Sequence, residues 1–298
     1  MFKSPFLIEK KIIVVSDAFS NQYIGGAELT LDALIEKLED RYSVIRINSQ
    51  VLNEKYKEIF SKYKNEKWLF GNIVVLNSQI LQLIPYLISD YSILECDYKY
   101  CKYRSEELHF YTEKKQCDCK ENKDFNGLIS TFFSRAKNIL WMSEGQKLKY
   151  ERNIEIYNNV NQIVISSIFS KDHINYMSNL NNNPSIKRSN NYVILKSPSW
   201  IKGYKSAKNY CLENNLKYEE VWGLQYAQLL LKLRSSKGLV YLPLGDDTCP
   251  RIVIESKLLG CDLILNKHVQ HKEEEWFKDH NSILNKFKNQ EKILKELF

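Results

Sequence analysis

Short β-branched runs alternate with amphipathic helical stretches along most of the chain, and that order admits few folds. Lys11-Ile-Ile-Val-Val-Ser16 has no polar position inside it, as a strand buried on both faces requires. Gly25-Gly26 follows, and Ala27 to Leu38 then repeats apolar residues at three- and four-residue intervals, the period of a helix with one buried face. Val44–Ile47, Asn72–Leu76, Ser92–Leu94, Asn138–Met142 and Gln162–Ser166 read as further strands with helical stretches between them. Parallel neighbours need a long crossover, so this order predicts a doubly wound parallel sheet. Asn179 to Asn191 interrupts the pattern with turn formers, a Pro and little apolar surface, which marks a linker. A second alternation follows, with strands over Tyr192–Leu195, Glu220–Gly223, Gly238–Leu242 and Asp262–Leu265 and an amphipathic tail helix over Ser282–Leu297. The expected fold class is α/β. Two Rossmann-like domains, residues 1–180 and 181–298, are expected to face a cleft.

Composition narrows the function classes. Lys and Arg number 43 against 36 Asp and Glu, a net charge of +7. The excess is spread among acids, which suits an anionic small ligand or a peripheral contact with a membrane surface rather than a nucleic acid. No apolar run reaches the roughly 18–20 residues that span a bilayer, since Ile80 to Ile88 is short and broken by Pro85. The N-terminus lacks the long apolar segment of a secretory leader. A cytoplasmic protein is expected.

The stretch Leu239 to Asn266 reads as strand, loop, helix and strand, and it carries two acids: Asp247 in the loop and Glu255 eight positions on. Pro250 and Arg251 open the helix between them, because Pro lacks an amide hydrogen that the first helical turn would leave unpaired anyway. The free N–H groups of such a turn suit a phosphate or a sugar hydroxyl. Arg251 is expected to contact phosphate or to pair with Asp247. Asn266-Lys-His-Val-Gln-His271 follows the last strand, where it could line the same cleft.

This acidic pair, followed by Leu-Leu-Gly-Cys and a second apolar strand, resembles the Glu-x7-Glu element of retaining GT-B glycosyltransferases, in particular those like glycosyltransferase family 4. The resemblance implies that Glu255 holds ribose hydroxyls of a nucleotide-sugar donor and that Asp247 contacts the sugar. It extends to Lys196-Ser-Pro-Ser-Trp-Ile-Lys-Gly203, where Lys196 and the Lys202-Gly203 pair would clamp the donor diphosphate. It also covers Gly25-Gly26, which would reach across the cleft toward that diphosphate. The implied reaction is glycosyl transfer with retention, without a catalytic divalent metal, to a glycan, lipid-linked or protein acceptor. Two features depart from the family: the second half is short, and Asp247-Thr-Cys-Pro250 stands where Glu-Pro-Phe-Gly is usual.

Residues 96–126 form a charged, aliphatic-poor insertion containing Cys101, His109, Cys117 and Cys119. Three thiolates and an imidazole make a tetrahedral structural zinc set, which would stabilise a loop with little core of its own. Free thiols, an iron–sulfur cluster and disulfides are the other readings. Cys96 competes with His109 for the fourth position, and His109 is preferred because its even spacing from both sides lets the loop double back. Asp97 to Arg104 also resembles a segment of a small subset of phage, viral and bacterial glycosyltransferase-like proteins. Cys211, Cys249 and Cys261 lie in apolar settings and read as small buried hydrophobes. Besides a transferase, the sequence admits a non-catalytic GT-B-like binding or assembly subunit and a zinc-containing nucleic-acid module.

Overall fold

A computed structural model describes residues 10–298. The segment 1–9, which holds most of the N-terminus read above for a leader, lies outside the described residues. Strands β1 (Lys11–Ser16), β2 (Ser43–Asn48), β3 (Lys67–Phe70), β4 (Tyr91–Glu95), β5 (Asn138–Trp141) and β6 (Asn161–Val164) form one sheet in the order β2-β1-β3-β4-β5-β6. Strands β7 (Tyr192–Leu195), β8 (Tyr218–Val221), β9 (Gly238–Tyr241) and β10 (Asp262–Leu265) form a second, in the order β10-β9-β7-β8. Every pairing in both sheets is parallel. In each sheet the chain steps to one side of its first strand and then winds back to the other. The switch points lie between β1 and β3 and between β7 and β9, and ligands of open α/β sheets bind beyond the strand ends at such points.

One expected strand is misplaced. The pairing segment is Lys67–Phe70, and Asn72–Leu76 is the loop that follows it. Trp68 and Phe70 stack in the core at 5.8 Å, so the aromatic residues take the sheet positions. Past Gly71 the chain turns around the Asp17 carboxylate, which accepts from the amides of Val74 (2.5 Å) and Val75 (3.3 Å) and leaves both valines exposed. An apolar run alone does not separate a strand from an anchored loop.

The linker is also shorter than expected, because the helix Lys171–Asn182 runs into it before the chain crosses over to β7. The tail helix, His280–Leu297, is capped by Asp279, whose carboxylate accepts from Ser282 N at 2.8 Å. It returns to the first sheet: Lys286 Nζ donates to Val164 O (2.8 Å), Gln290 Nε2 to Ser167 O (3.1 Å), and Phe287 packs on Phe169 at 4.9 Å. One continuous apolar cluster joins Ile12 and Val14 of β1, Val193 of β7, Leu239 of β9 and Ile283 of the tail helix. The two sheets are therefore held in a fixed relation, with their switch points on either side of one hollow.

Candidate functional site

A cavity of about 680 Å³ opens between the switch points. The first half lines it with Gly25, Gly26, Glu28 and Asn72, and the second with Lys202, Tyr226, Asp247, Arg251 and Glu255. Gly25 caps the helix Gly26–Leu38, and a Cβ on it would fall 2.4 Å from Glu28 Oε2, so a larger residue would push that carboxylate aside. Gly26 faces Arg251 across the hollow.

Lys202 ends a short turn, and Gly203 caps the helix Tyr204–Glu213 in the left-handed region at φ 65°, ψ 32°. This conformation brings Gly203 against the Leu242 carbonyl at the exit of β9, which fixes Lys202 beside the loop after that strand. Lys202 Nζ lies 2.7 Å from Asp247 Oδ2, and Tyr241 donates its hydroxyl to the same oxygen at 2.5 Å.

The helix Arg251–Leu258 supplies the remaining groups. Arg251 is buried, with its guanidinium 3.8 Å from the centre of the Phe169 ring. Its Nη1 donates to the Ile168 carbonyl and approaches Thr30 Oγ1 at 3.4 Å, while Nη2 has no partner. Arg251 Nε is 3.4 Å from Glu255 Oε1, which also accepts from Tyr226 OH at 2.8 Å. Burial pushes the Glu255 carboxyl above its ordinary range, against the opposing pull of Arg251 and Tyr226. Burial raises Glu28 as well, partly offset by hydrogen bonding that includes the Asn72 side chain. The cavity therefore presents a lysine and two carboxyls whose pKa burial raises, with the buried Arg251 guanidinium behind them: groups suited to phosphate oxygens and sugar hydroxyls.

No protein-family model and no curated protein matches the chain. Solved structures do. A UDP-forming trehalose-phosphate synthase from Burkholderia xenovorans superposes with a TM-score of 0.56 at 6% identity, over 97% of this chain and 95% of that one. Anabaena HepE in complex with UDP-glucose gives 0.53 at 11% identity over 97% and 95%. An α-glucosyltransferase in complex with UDP and a DNA 13-mer containing an HMU base gives 0.52 at 9% over 96% and 90%. The fold is GT-B.

In this GT-B frame, one cavity is lined by Gly25, Gly26, Lys202, Asp247, Arg251 and Glu255, with Gly203 as the cap that holds Lys202. Lys196 is not brought there: it pairs with Glu220 at 2.9 Å, with more than half its side chain in solvent. Arg251 pairs with Glu255 and not with Asp247, because Lys202 already occupies the Asp247 carboxylate. The stretch after β10 does not line the cavity: His268 Nδ1 lies 2.7 Å from Asp246 Oδ1, and His271 is buried between Trp276 and Phe277.

Cys101, His109, Cys117 and Cys119 do come together, each offering a ligand atom within 4.8 Å of the others. His109 Nδ1 is 3.6 Å from the sulfurs of both Cys101 and Cys119. Cys96 stays outside the cluster at the end of β4, where its carbonyl accepts from Thr248 Oγ1 at 2.9 Å. Cys211 and Cys249 are buried as expected, and Cys261 is half-buried. All seven cysteines are free.

Sequence reasoning missed Tyr226, Tyr241 and Glu28. Tyr241 could have been found as the last residue of a switch-point strand. Tyr226 carries no such signal, since only the packing of its helix against Arg251–Leu258 brings it to Glu255.

Proposed function

We propose that this chain is a glycosyltransferase that takes a sugar from a nucleoside-diphosphate donor and passes it to an acceptor with retention at the anomeric carbon. One observation carries this reading: Lys202, Asp247, Arg251 and Glu255 share a single cavity opposite Gly25-Gly26 in a GT-B frame. The donor's ribose belongs at Glu255 and its sugar at Asp247. The diphosphate belongs at Lys202, where the Gly26 backbone can approach it and the buried Arg251 guanidinium adds positive charge from behind. As the bond from C1 to the diphosphate oxygen breaks, negative charge grows on the phosphate, and fixed cations in a water-poor site stabilise it. Substitution on the same face sets the departing phosphate oxygen beside the incoming hydroxyl, so that oxygen receives the acceptor's proton as the new C1–O bond forms. Lys202 and Arg251 supply the positive charge that a catalytic divalent metal would otherwise bring. The UDP and UDP-glucose complexes of HepE support this donor class, and a trehalose-6-phosphate synthase whose study addresses glycosyl transfer with retention has the same fold.

The test is calorimetric titration with UDP and GDP. Lys202→Ala is expected to weaken binding about 10- to 100-fold, the range for a hydrogen bond to a charged group, without unfolding the protein by circular dichroism. No binding of any nucleoside diphosphate at millimolar concentration would overturn the reading.

The cysteine cluster fits structural zinc. Bond lengths of about 2.3 Å to sulfur and about 2.05 Å to nitrogen at tetrahedral angles place S and N about 3.6 Å apart, which matches both measured separations. His109 Nε2 lies 3.3 Å from Glu113 Oε2, near a carboxylate but without a hydrogen bond to it. Four protein ligands leave no place for substrate, so the metal would hold the insertion and take no part in transfer. Elemental analysis is expected to find one zinc per chain, and Cys119→Ser to lose it; a wild-type protein without metal would refute the assignment. Free cysteines suit a reducing compartment, which supports a cytoplasmic location. Among the described residues no helix is long and apolar enough to cross a membrane.

A further inference from the structure

The insertion that carries the cysteine cluster does more than cover the first sheet. Its one regular helix, Glu106–Glu113, starts at Ser105, whose hydroxyl caps Leu108 N (3.2 Å) and donates to Glu107 Oε2 (2.9 Å). His109 sits one turn further on, between Cys101 and Cys119. The same helix reaches both segments of the second half that hold the cleft's charged pair. Glu107 Oε2 accepts from the amide of Asp246 at 3.3 Å, next to Asp247. Gly245 lies so close that a Cβ on it would be 2.9 Å from Ser105 Oγ and 3.1 Å from Glu107 Oε2. Tyr111 packs on Trp200 at 5.4 Å, two residues before Lys202.

A charged cluster locks the first of these contacts. Lys149 Nζ lies 3.1 Å from Glu107 Oε1 and 2.8 Å from Asp246 Oδ2, and Asp246 is also held by His268 (2.7 Å) and by Gln270 Nε2 (3.2 Å). Glu107, Asp246 and His268 could themselves chelate a cation, but the Lys149 ammonium already pairs with both carboxylates. The second contact is passed on by the backbone, because Leu244 N donates to Ile201 O at 3.0 Å and ties the two supported segments together. The result is a continuous path from the metal ligand His109, through one short helix, to Asp247 and Lys202.

The geometry points to the Cys101–His109–Cys117–Cys119 knuckle as a strut for the donor cleft: metal binding fixes the helix Glu106–Glu113, and Glu107 and Tyr111, as positioning residues, seat the loops that present Asp247 and Lys202. This inference rests on the transferase reading only for its consequence in nucleotide binding; the mechanical coupling stands apart from it. A helix this short is marginal without tertiary support, so releasing its central ligand should loosen everything seated on it.

Hydrogen–deuterium exchange on the full chain tests the coupling directly. Zinc-loaded protein, chelator-treated protein, Glu107→Ala and Tyr111→Ala are compared over residues 243–248 and 200–203, with residues 171–182 as an internal reference. Removing the metal is expected to speed exchange in both segments about tenfold. Glu107→Ala should do the same over 243–248 and Tyr111→Ala over 200–203, each with zinc content unchanged. UDP affinity should fall about fivefold in both variants. If chelation unfolds the whole protein, the two metal-retaining variants decide the matter. Wild-type exchange over 243–248 in Glu107→Ala and over 200–203 in Tyr111→Ala would overturn the strut. So would metal removal that loosens only residues 101–119. A wild-type protein that binds no nucleotide would sink the transferase reading and leave this exchange result to stand or fall separately.

Discussion

Two glycines line or brace the cleft in opposite circumstances, and replacing each by alanine separates backbone geometry from local composition. Gly203 lies in the left-handed region at φ 65°, where a residue bearing a Cβ costs about 1–2 kcal/mol. A Cβ there would also fall 1.9 Å from Leu242 O, 2.6 Å from Leu242 C and 2.9 Å from Pro243 Cα. All three atoms are backbone at the exit of β9, so no side chain can swing away to make room. Either the turn carrying Lys202 or the loop carrying Asp247 must shift, and forced shifts of this kind cost about 1–3 kcal/mol. Alanine recovers about 0.4–1 kcal/mol through the unfolded chain, which leaves Gly203→Ala destabilised by about 1–5 kcal/mol. Gly26 opens the helix Gly26–Leu38, and its added Cβ would meet only Arg251 Cδ, at an ordinary 3.7 Å. Gly26→Ala should therefore be neutral or more stable by up to about 1 kcal/mol. Urea unfolding at neutral pH, with midpoints compared at equal m-value, checks both. A Gly203→Ala midpoint equal to wild type, or equal losses for the two variants, would refute this account of the turn.

Three further outcomes follow from the buried charges. His271 is fully buried with neither ring nitrogen partnered, and burial pushes its pKa down to about 3 from 6.5. Its folded value is depressed, so its stabilisation is complete above pH 6.5. It is lost as pH falls toward about 3, at no more than about 1.4 kcal/mol per pH unit; urea midpoints from pH 7 to 4 should fall less steeply in His271→Phe. Arg251→Ala leaves Glu255 buried without its cation and should cost about 3–5 kcal/mol, against a smaller loss in the Arg251→Ala/Glu255→Gln double variant, read from the same unfolding curves. Asp247→Asn removes the partner of Lys202 and leaves its charge free for an anion, so UDP affinity should hold or rise while sugar transfer falls; a loss of UDP binding equal to that of Lys202→Ala would contradict the assigned roles.

How much of this was legible in the sequence depends on whether a feature is local or distant. Nine of the ten strands were readable because most of them centre on a short β-branched or apolar run, although β8 is Tyr-Glu-Glu-Val and starts two residues earlier than expected; the tenth was displaced because Lys67–Phe70 is short and begins with a charge, while Asn72–Leu76 carries the more regular apolar pattern. Lys202-Gly203 was legible only through the family resemblance; the left-handed cap packed against a neighbouring strand, which gives the glycine its physical reason, emerges from the fold. The pairings were not readable. Lys196 and Lys202 look alike in sequence, and what separates them is Glu220 on β8, which draws Lys196 out to the surface. Arg251 was expected to choose between phosphate and Asp247, yet the acid beside it is Glu255, one helical turn along the same helix.

The insertion shows the same limit more sharply. Its four candidate ligands are close in sequence, and their spacing sufficed to group them. Glu107 lies between two of those ligands and carries no motif of its own, and its partner Asp246 is 139 positions away. Spacing can therefore nominate a metal knuckle but cannot say what the knuckle supports, because support is a property of the surface on which the helix comes to rest. Here that surface is the loop between β9 and the helix Arg251–Leu258, the segment that also presents Asp247 to the cleft. A stretch that reads in sequence as a peripheral, charged excursion becomes, once folded, the wall against which the candidate donor site is built.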